Sequence, residues 1–243
     1  QGGGLGVNMY EHYLTFAGKN SRDFNVWISG GGTFNAPARD SELITVPGRN
    51  GDLYLDNGRY ENITVTYPAF ITRRFQTNVE AFRDFLLAQI GYKRLEDTYH
   101  PDEFRLAMYS GGFDAEPTAR NLAGSFDVSF NCKPQRYLKS GEQAITYTAN
   151  GNIFNPTLYA SKPLIRAYGT GTVTINGVTV QITAANQYTD IDCELMDAFK
   201  GATNCNGNIV LTNGEFPTIA PGLNAISKSG ITTLEITPRW WRL

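Results

Sequence analysis

Cysteine and histidine are the scarcest chemistry-bearing residues of this chain. Its three cysteines, Cys132, Cys193 and Cys205, are an odd set in 243 residues and show no zinc-finger spacing. Free thiols in a reducing compartment are therefore expected, without a disulfide. The two histidines, His12 and His100, sit in no nucleophile or metal motif, and no metal or other cofactor is expected. The formal net charge is only −2, so there is no electrostatic reason to expect nucleic-acid or membrane binding. No apolar run approaches the ~20 residues of a membrane helix, and no charged-then-apolar leader is visible. Gln1-Gly2-Gly3-Gly4 reads as the remnant of a cleaved tag, with Met9 as the expected natural start. What the chain does have, 41% hydrophobic and 18% charged residues, suits one large or two ordinary folded domains.

The most informative stretch runs from Glu42 to Tyr67. Ile44 and Val46 flank Thr45, Leu53 and Leu55 flank Tyr54, and Ile63, Val65 and Tyr67 alternate with polar residues. A period of two puts such apolar side chains on one face of a sheet. Asn57-Gly58 is expected as a tight hairpin turn, and Pro47 to Gly51 as a second break in the strands. The stretch reads as a polar hairpin arm, Thr45 to Arg59, in which Gly48, Arg49, Asn50, Gly51, Leu53, Leu55 and Arg59 are the candidate subunit-contact residues. The glycines let the backbone bend and approach another surface, the arginines can donate to a neighbour's carboxylates or carbonyls, and the leucines add apolar contact.

Elsewhere, Tyr10 to Phe16 is a short apolar run, and Ser21 to Ile28 alternates, with Phe24, Val26 and Ile28 on one side. One helix is signalled, Thr77 to Ile90, by Val79, Phe82, Phe85, Leu86 and Ile90 at three- and four-residue steps. Thr77 and Glu80 fit a capping box, and Gly91 fits its end. Its expected role is to cover one face of a sheet. Phe104 to Met108 and Gly124 to Cys132 return to strand patterning. Pro134 to Gly141 turns polar and irregular, so a domain boundary is placed at Lys133 to Gly141, giving domains 9–136 and 137–243. Beyond it, short strands with Gly, Asn and Pro turns, including Val173 to Ile182 around Asn176-Gly177, argue for an antiparallel β-sandwich.

Few residues point to chemistry. Asp190, Asp192 and Glu194 line one face of a strand that is expected to run from Tyr188 to Leu195. Such a row could bind calcium or supply an acid and a base, but with no partner cluster it is expected to be a solvated face opposite Ile191, Cys193 and Leu195. Gly169-Thr170-Gly171 has no lysine or helix start to cradle phosphate and is read as a turn. Trp240 and Trp241 point to opposite faces, so packing is their expected role.

The order of certain patches carries a resemblance. GRNG (Gly48 to Gly51), YENITV, one helix and FNCKPQRY (Phe130 to Tyr137) are followed by NPT, SKPLI (Ser161 to Ile165), DIDCEL, EFPTIAPGLNAI (Glu215 to Ile226) and ITPRWW. Taken together, from Met9 to Leu243, the chain resembles the distal tail protein (Dit) family of long-tailed, non-contractile phages. The resemblance implies a mainly β fold: an N-terminal β-sandwich or barrel-like domain with one α-helix and a hairpin arm, then a C-terminal galectin-like antiparallel β-sandwich. It implies a non-enzymatic structural protein of the virion, assembled in the host bacterial cytoplasm. Its partners would be itself, in a hexameric ring, together with the tail tube protein, a tail-associated tip protein, and receptor-binding or baseplate proteins, with no specific nucleic acid and no membrane. Larger relatives carry an inserted carbohydrate-binding module, for which 243 residues leave no room. Two other readings stand beside this one: a lectin-like carbohydrate-binding sandwich, and a wall-degrading hydrolase for which only the Asp190 row speaks.

Overall fold

Alternating strands dominate the computed structural model, which describes residues 12–32, 34–109 and 111–243. The Gly-rich start, Met9 and Tyr10 lie outside the described residues. The chain divides into two compact units, Gln1–Arg136 with Leu243, and Tyr137–Arg242.

In the first unit the strands are β1 (Leu14–Phe16), β2 (Lys19–Asn20), β3 (Trp27–Ile28), β4 (Arg39–Ile44), β5 (Leu53–Tyr60), β6 (Ile63–Ile71), β7 (Lys93–Asp97), β8 (Glu103–Met108), β9 (Glu116–Pro117) and β10 (Gly124–Leu138). The main sheet runs β2-β1-β7-β8-β10-β6-β3, with β9 beside β10. The two long strands β6 and β10 are antiparallel, pairing Tyr67 with Val128 and Val65 with Phe130. Their period-two apolar faces therefore coincide, and Val65, Tyr67, Phe126, Val128 and Phe130 are buried together. Against them lies α1 (Phe75–Leu87), which buries Phe75, Phe82 and Leu86. Phe24 packs its ring 5.5 Å from that of Phe82 and 5.2 Å from that of Phe85. The expected helical face thus covers the sheet, as its spacing requires.

Local details differ from expectation for identifiable reasons. The helix starts two residues before Thr77, after Arg74 in the left-handed region (φ 47°), and has no side-chain cap. Phe75 is buried, and its ring fills the space that a Cβ on Gly124 would occupy at 2.3 Å. Packing, not a capping box, sets this helix end, and Glu80 accepts instead from Gln76. Ile90 lies beyond the helix and is 86% exposed. Ser21–Phe24, read as strand, is a 3-10 turn capped by the Asn20 side chain. Pro134–Leu138, read as irregular, continues β10, so the division between units falls inside a strand.

The second unit comprises β11 (Ile145–Tyr147), β12 (Gly151–Asn155), β13 (Leu164–Tyr168), β14 (Gly171–Ile175), β15 (Val178–Ile182), β16 (Tyr188–Asp192), β17 (Asp197–Lys200), β18 (Thr203–Asn204), β19 (Ile209–Leu211), β20 (Gly222–Ser229), β21 (Thr233–Thr237) and β22 (Trp241–Arg242). Strands β11 to β21 form two antiparallel sheets, β11-β21-β13-β16-β17-β18 and β12-β20-β14-β15-β19, and β22 pairs with β10. Ile165, Ile191, Leu234 and Ile236 of one sheet share a core with Val173, Ile175, Val180, Ile182 and Ile226 of the other. This is the expected sandwich. Asn176 (φ 48°) and Gly177 (φ 82°) make the tight turn between β14 and β15. Lys139–Glu142 is a 3-10 turn whose Gly141 has room for no side chain, since a Cβ there would meet the Trp240 nitrogen at 2.3 Å.

Candidate functional site

The arm is a two-stranded sheet of its own, β4 paired with β5 and with nothing else. Ile44 pairs with Leu53, Leu43 with Tyr54 and Glu42 with Leu55. Residues opposed across a ladder share a face, so Ile44, Leu53 and Leu55 lie on one side and Leu43 and Tyr54 on the other. Neither side is covered: Leu43 is 68%, Ile44 42%, Leu53 44%, Tyr54 55% and Leu55 46% exposed. The apolar residues thus occupy both faces, where the alternation predicted one.

The chain reverses at Pro47 to Gly51, with Gly48 and Gly51 both at φ 79°. The Thr45 hydroxyl donates to Asp52 across the base of this turn at 2.9 Å. Asn57-Gly58 is not a turn. It lies inside β5, where the ladder advances from Arg39↔Tyr60 to Ser41↔Asp56. β4 moves two residues there while β5 moves four, so Asn57, Gly58 and Arg59 bulge opposite Asp40. Gly58 takes the positive φ of 72° that the bulge needs, and its N–H donates to Asp56 at 2.8 Å. Asn57 and Arg59 both donate to Asp40, and Arg39 grips Asp56 with two nitrogens at 2.9 and 2.7 Å. Hydrogen bonds from Arg39 and then Gly58 hold the Asp56 carboxyl below the usual carboxylate range, and those from Asn57 and Arg59 do the same for Asp40. Arg59, a candidate donor to a neighbour, is therefore already engaged within its own arm. Among the described residues Arg49, at the exposed tip, has no carboxylate partner. Arg39, Asp40 and Asp56 brace the arm and were not singled out from the sequence, because the bulge hides their register.

The acidic row of the second unit differs from its expected solvated state. β16 ends at Asp192, and residues 193–196 form a turn that leaves Leu195 69% exposed. Asp190 and Asp192 are each 4% exposed. Arg166 on β13 grips Asp190 with two nitrogens at 2.7 and 2.9 Å, and Arg239 grips Asp192 at 2.7 Å twice. The backbone N–H groups of Glu194 and Leu195 also donate to Asp192. Burial opposes the charge on Asp192, but these donors, Arg239 foremost, outweigh it and hold the carboxyl below the usual range. Glu194 is exposed and lies 3.5 Å from Lys162. With their oxygens committed to guanidinium and backbone donors, these aspartates are structural groups rather than an acid–base pair.

A second polar cluster was not foreseen. β8 turns Glu103 and Arg105 inward, while Phe104 and Leu106 are half-buried. The Tyr67 hydroxyl donates to Asp97 at 2.7 Å, which also takes the Tyr99 and His100 N–H groups at 2.9 Å. Burial lowers the Arg105 pKa and pushes the Cys132 and Cys193 thiols up to about 12, which leaves both thiols protonated and inert at neutral pH. Trp240 is buried, while Trp241 stacks on Tyr159 at 4.5 Å and donates to the Ala160 carbonyl. Both tryptophans therefore serve packing. Among the described residues no helix is long and apolar enough to cross a membrane.

An arm beside a helix-backed sheet, followed by an antiparallel sandwich, defines a two-part, mainly β fold. The chain is similar over 96% of its length to 99% of the Dit protein of phage SPP1, described as a paradigm of the hub adsorption apparatus in phages infecting Gram-positive bacteria, with a TM-score of 0.74 and 12% identity. It is also similar over 96% of its length to 98% of a chain of the phage p2 baseplate in its activated conformation with Sr, with a TM-score of 0.52 and 9% identity. No protein-family model and no curated protein matches the sequence.

Proposed function

We propose that this chain is a non-catalytic hub of a phage or prophage tail tip, six copies of which close a ring at the end of a non-contractile tail tube. The observation that supports this most is the likeness of the whole chain, both units in order, to the whole SPP1 hub protein. The ring falls to the first unit. The second, galectin-like unit offers docking surface to receptor-binding or baseplate proteins, while the tube and a tip protein meet the ring itself. The place of work is the virion, after assembly in the host cytoplasm.

The arm gives this reading its physical content. An isolated two-stranded hairpin is marginal in water, and this one exposes apolar side chains on both faces. A ring of identical subunits requires heterologous contact, one patch meeting a different patch on the next copy. Gly48, Arg49, Asn50, Gly51, Leu53 and Leu55 are the arm residues assigned to that contact, and Arg59 supports it from within by holding Asp40. Size-exclusion chromatography with light scattering, run to high concentration, tests the reading. A six-fold species, or a monomer that closes to six, is the expected result. A strict monomer that binds glycans would replace it with the lectin reading.

A further inference from the structure

An asparagine followed by glycine can react with its own chain, because glycine sets no Cβ beside the nitrogen that attacks the asparagine side chain. Six such pairs occur here, at Asn50, Asn57, Asn150, Asn176, Asn206 and Asn213. The attack needs two freedoms. The side chain must swing its Cγ toward the following nitrogen, and that nitrogen must be released from any acceptor, so that the two atoms meet.

The fold withholds these freedoms from five of the pairs. Asn57 donates to Asp40, and the Gly58 N–H donates to Asp56. The Asn150 side-chain oxygen accepts from the Lys228 N–H at 2.9 Å. Asn176 donates to Asn224 and accepts from the Ala225 N–H. Asn206 donates to Asp197 and accepts from the Ala198 N–H, both at 2.6 Å. The Asn213 side chain is untethered among the described residues, but the Gly214 N–H donates to the Leu211 carbonyl at 3.4 Å. Asn50 differs from all five. Among the described residues its exposed side chain makes no hydrogen bond, and the Gly51 N–H donates to nothing. Gly51 turns at φ 79°, with open space where a Cβ would stand.

We propose that Asn50 is the site at which this chain deamidates without an enzyme, water being the only co-reactant. The Gly51 nitrogen bonds to Cγ of Asn50 and gives up its proton. The Cγ–Nδ2 bond breaks, and ammonia leaves carrying that proton, so a five-membered imide closes. Water then opens the ring. Cleavage at the main-chain carbonyl gives isoaspartate, and cleavage at Cγ gives aspartate. Either product places a carboxylate beside Arg49, and isoaspartate also adds a methylene to the main chain at the arm tip. The site stands apart from the ring reading. Only one consequence rests on that reading: a tip seated against a neighbour is shielded from the reaction.

The test is incubation of the full chain in mildly alkaline buffer, with peptide mapping by mass spectrometry to follow all six pairs. Each hydrogen bond that must first open is expected to slow the attack by roughly fivefold. The Asn50 peptide should therefore convert first, with Asn213 next. In urea, where the tethers are gone, the spread among the six should collapse. Another pair converting as fast as Asn50 in the folded chain, or no conversion at Asn50, overturns the proposal. A lead for Asn50 that persists undiminished in urea also overturns it, since local sequence and not the fold would then select the site. Comparison of the monomeric and six-fold species separates the two readings. Slower conversion in the six-fold species supports the seated tip. Equal rates remove the tip from the ring contact and leave the modification site standing.

Discussion

The arm and strand β16 are written alike and end in opposite surroundings. Each sets apolar residues beside charged ones, and each brings aspartates against arginines at distances of about 2.7 Å. In the arm, Arg39 and Asp56 are each 37% exposed at the side chain, whereas Asp190 and Asp192 are 5% and 6% exposed. The attraction between two charges at 4 Å is roughly 1 kcal/mol in bulk water and about 4 kcal/mol at an effective dielectric constant of 20. Water therefore competes for the arm pairs and hardly at all for the sandwich carboxylates. Alternation tells which side chains share a face. It does not tell what lies over that face, and this decides whether an ion pair is decoration or a structural necessity.

The sharpest way to break this comparison is to remove one aspartate from each region. Asp192→Ala deprives Arg239 of both its contacts and leaves two backbone N–H groups without an acceptor. Breaking a buried pair from one side is expected to destabilise by about 3 kcal/mol, read as a fall in the denaturant midpoint. Asp56→Ala, in water, is expected to leave the denaturant midpoint nearly unchanged. Equal effects would mean that burial does not separate the two regions.

What was legible beforehand follows the same logic. The alternation of Ile63, Val65 and Tyr67, the aromatic stripe on α1 and the Asn176-Gly177 turn depend on neighbours in sequence, and all three are realised. The fate of Asp190 and Asp192 depends on Arg166 and Arg239, which lie 24 and 47 residues away, and no local pattern carries that information. Asn57-Gly58 has the composition of a hairpin turn, yet the chain had already reversed at Gly48 to Gly51, so its positive φ serves a bulge instead. The start of α1 was missed because Phe75 needs the space over Gly124, a tertiary demand stronger than an available cap. Of the candidate contact residues, the position of the arm was readable. Which of its arginines remains free was not, since that follows from cross-strand register.

Acid should separate the regions by a smaller margin. The Asp192 carboxyl is held below its ordinary value when folded. Its stabilisation is therefore complete above the unfolded pKa of about 3.9 and is lost as the pH falls through the lower folded value. The Asp40 and Asp56 carboxyls are also lowered, but protonating groups so exposed leaves no buried charge unpaired. In unfolding followed by tryptophan fluorescence, with Trp240 in the sandwich core, stability should decline with acid below pH ~4. In Asp192→Asn that decline should be shallower from a lower starting point, while in Asp56→Asn it should be unchanged. A slope that persists in Asp192→Asn would move the acid response to other carboxylates.

The smallest expected loss of stability comes from the largest excision. Arg39 and Tyr60 are opposite each other in the ladder, so the backbone on either side of the arm is already close enough to be joined by a short Gly-Ser turn. Replacing Asp40 to Arg59 in this way removes both strands together. Cutting only Asp52 to Tyr60 would leave β4 without its partner. No residue between Arg39 and Tyr60 belongs to either buried core, and the ion pairs lost are exposed ones worth little. The apolar side chains removed are those already in water, so their removal exposes no cavity and forfeits little burial. Shortening the connection lowers its closure cost, by about 0.6 kcal/mol for each halving of its length, which acts in favour of the folded state. Stability should therefore fall by no more than ~0.5 kcal/mol below the parent, while on the proposed reading the ring no longer closes. A loss of several kcal/mol would show that the arm is held by the first unit's core, and the contrast between a solvated arm and a buried sandwich strand would fail at its first term.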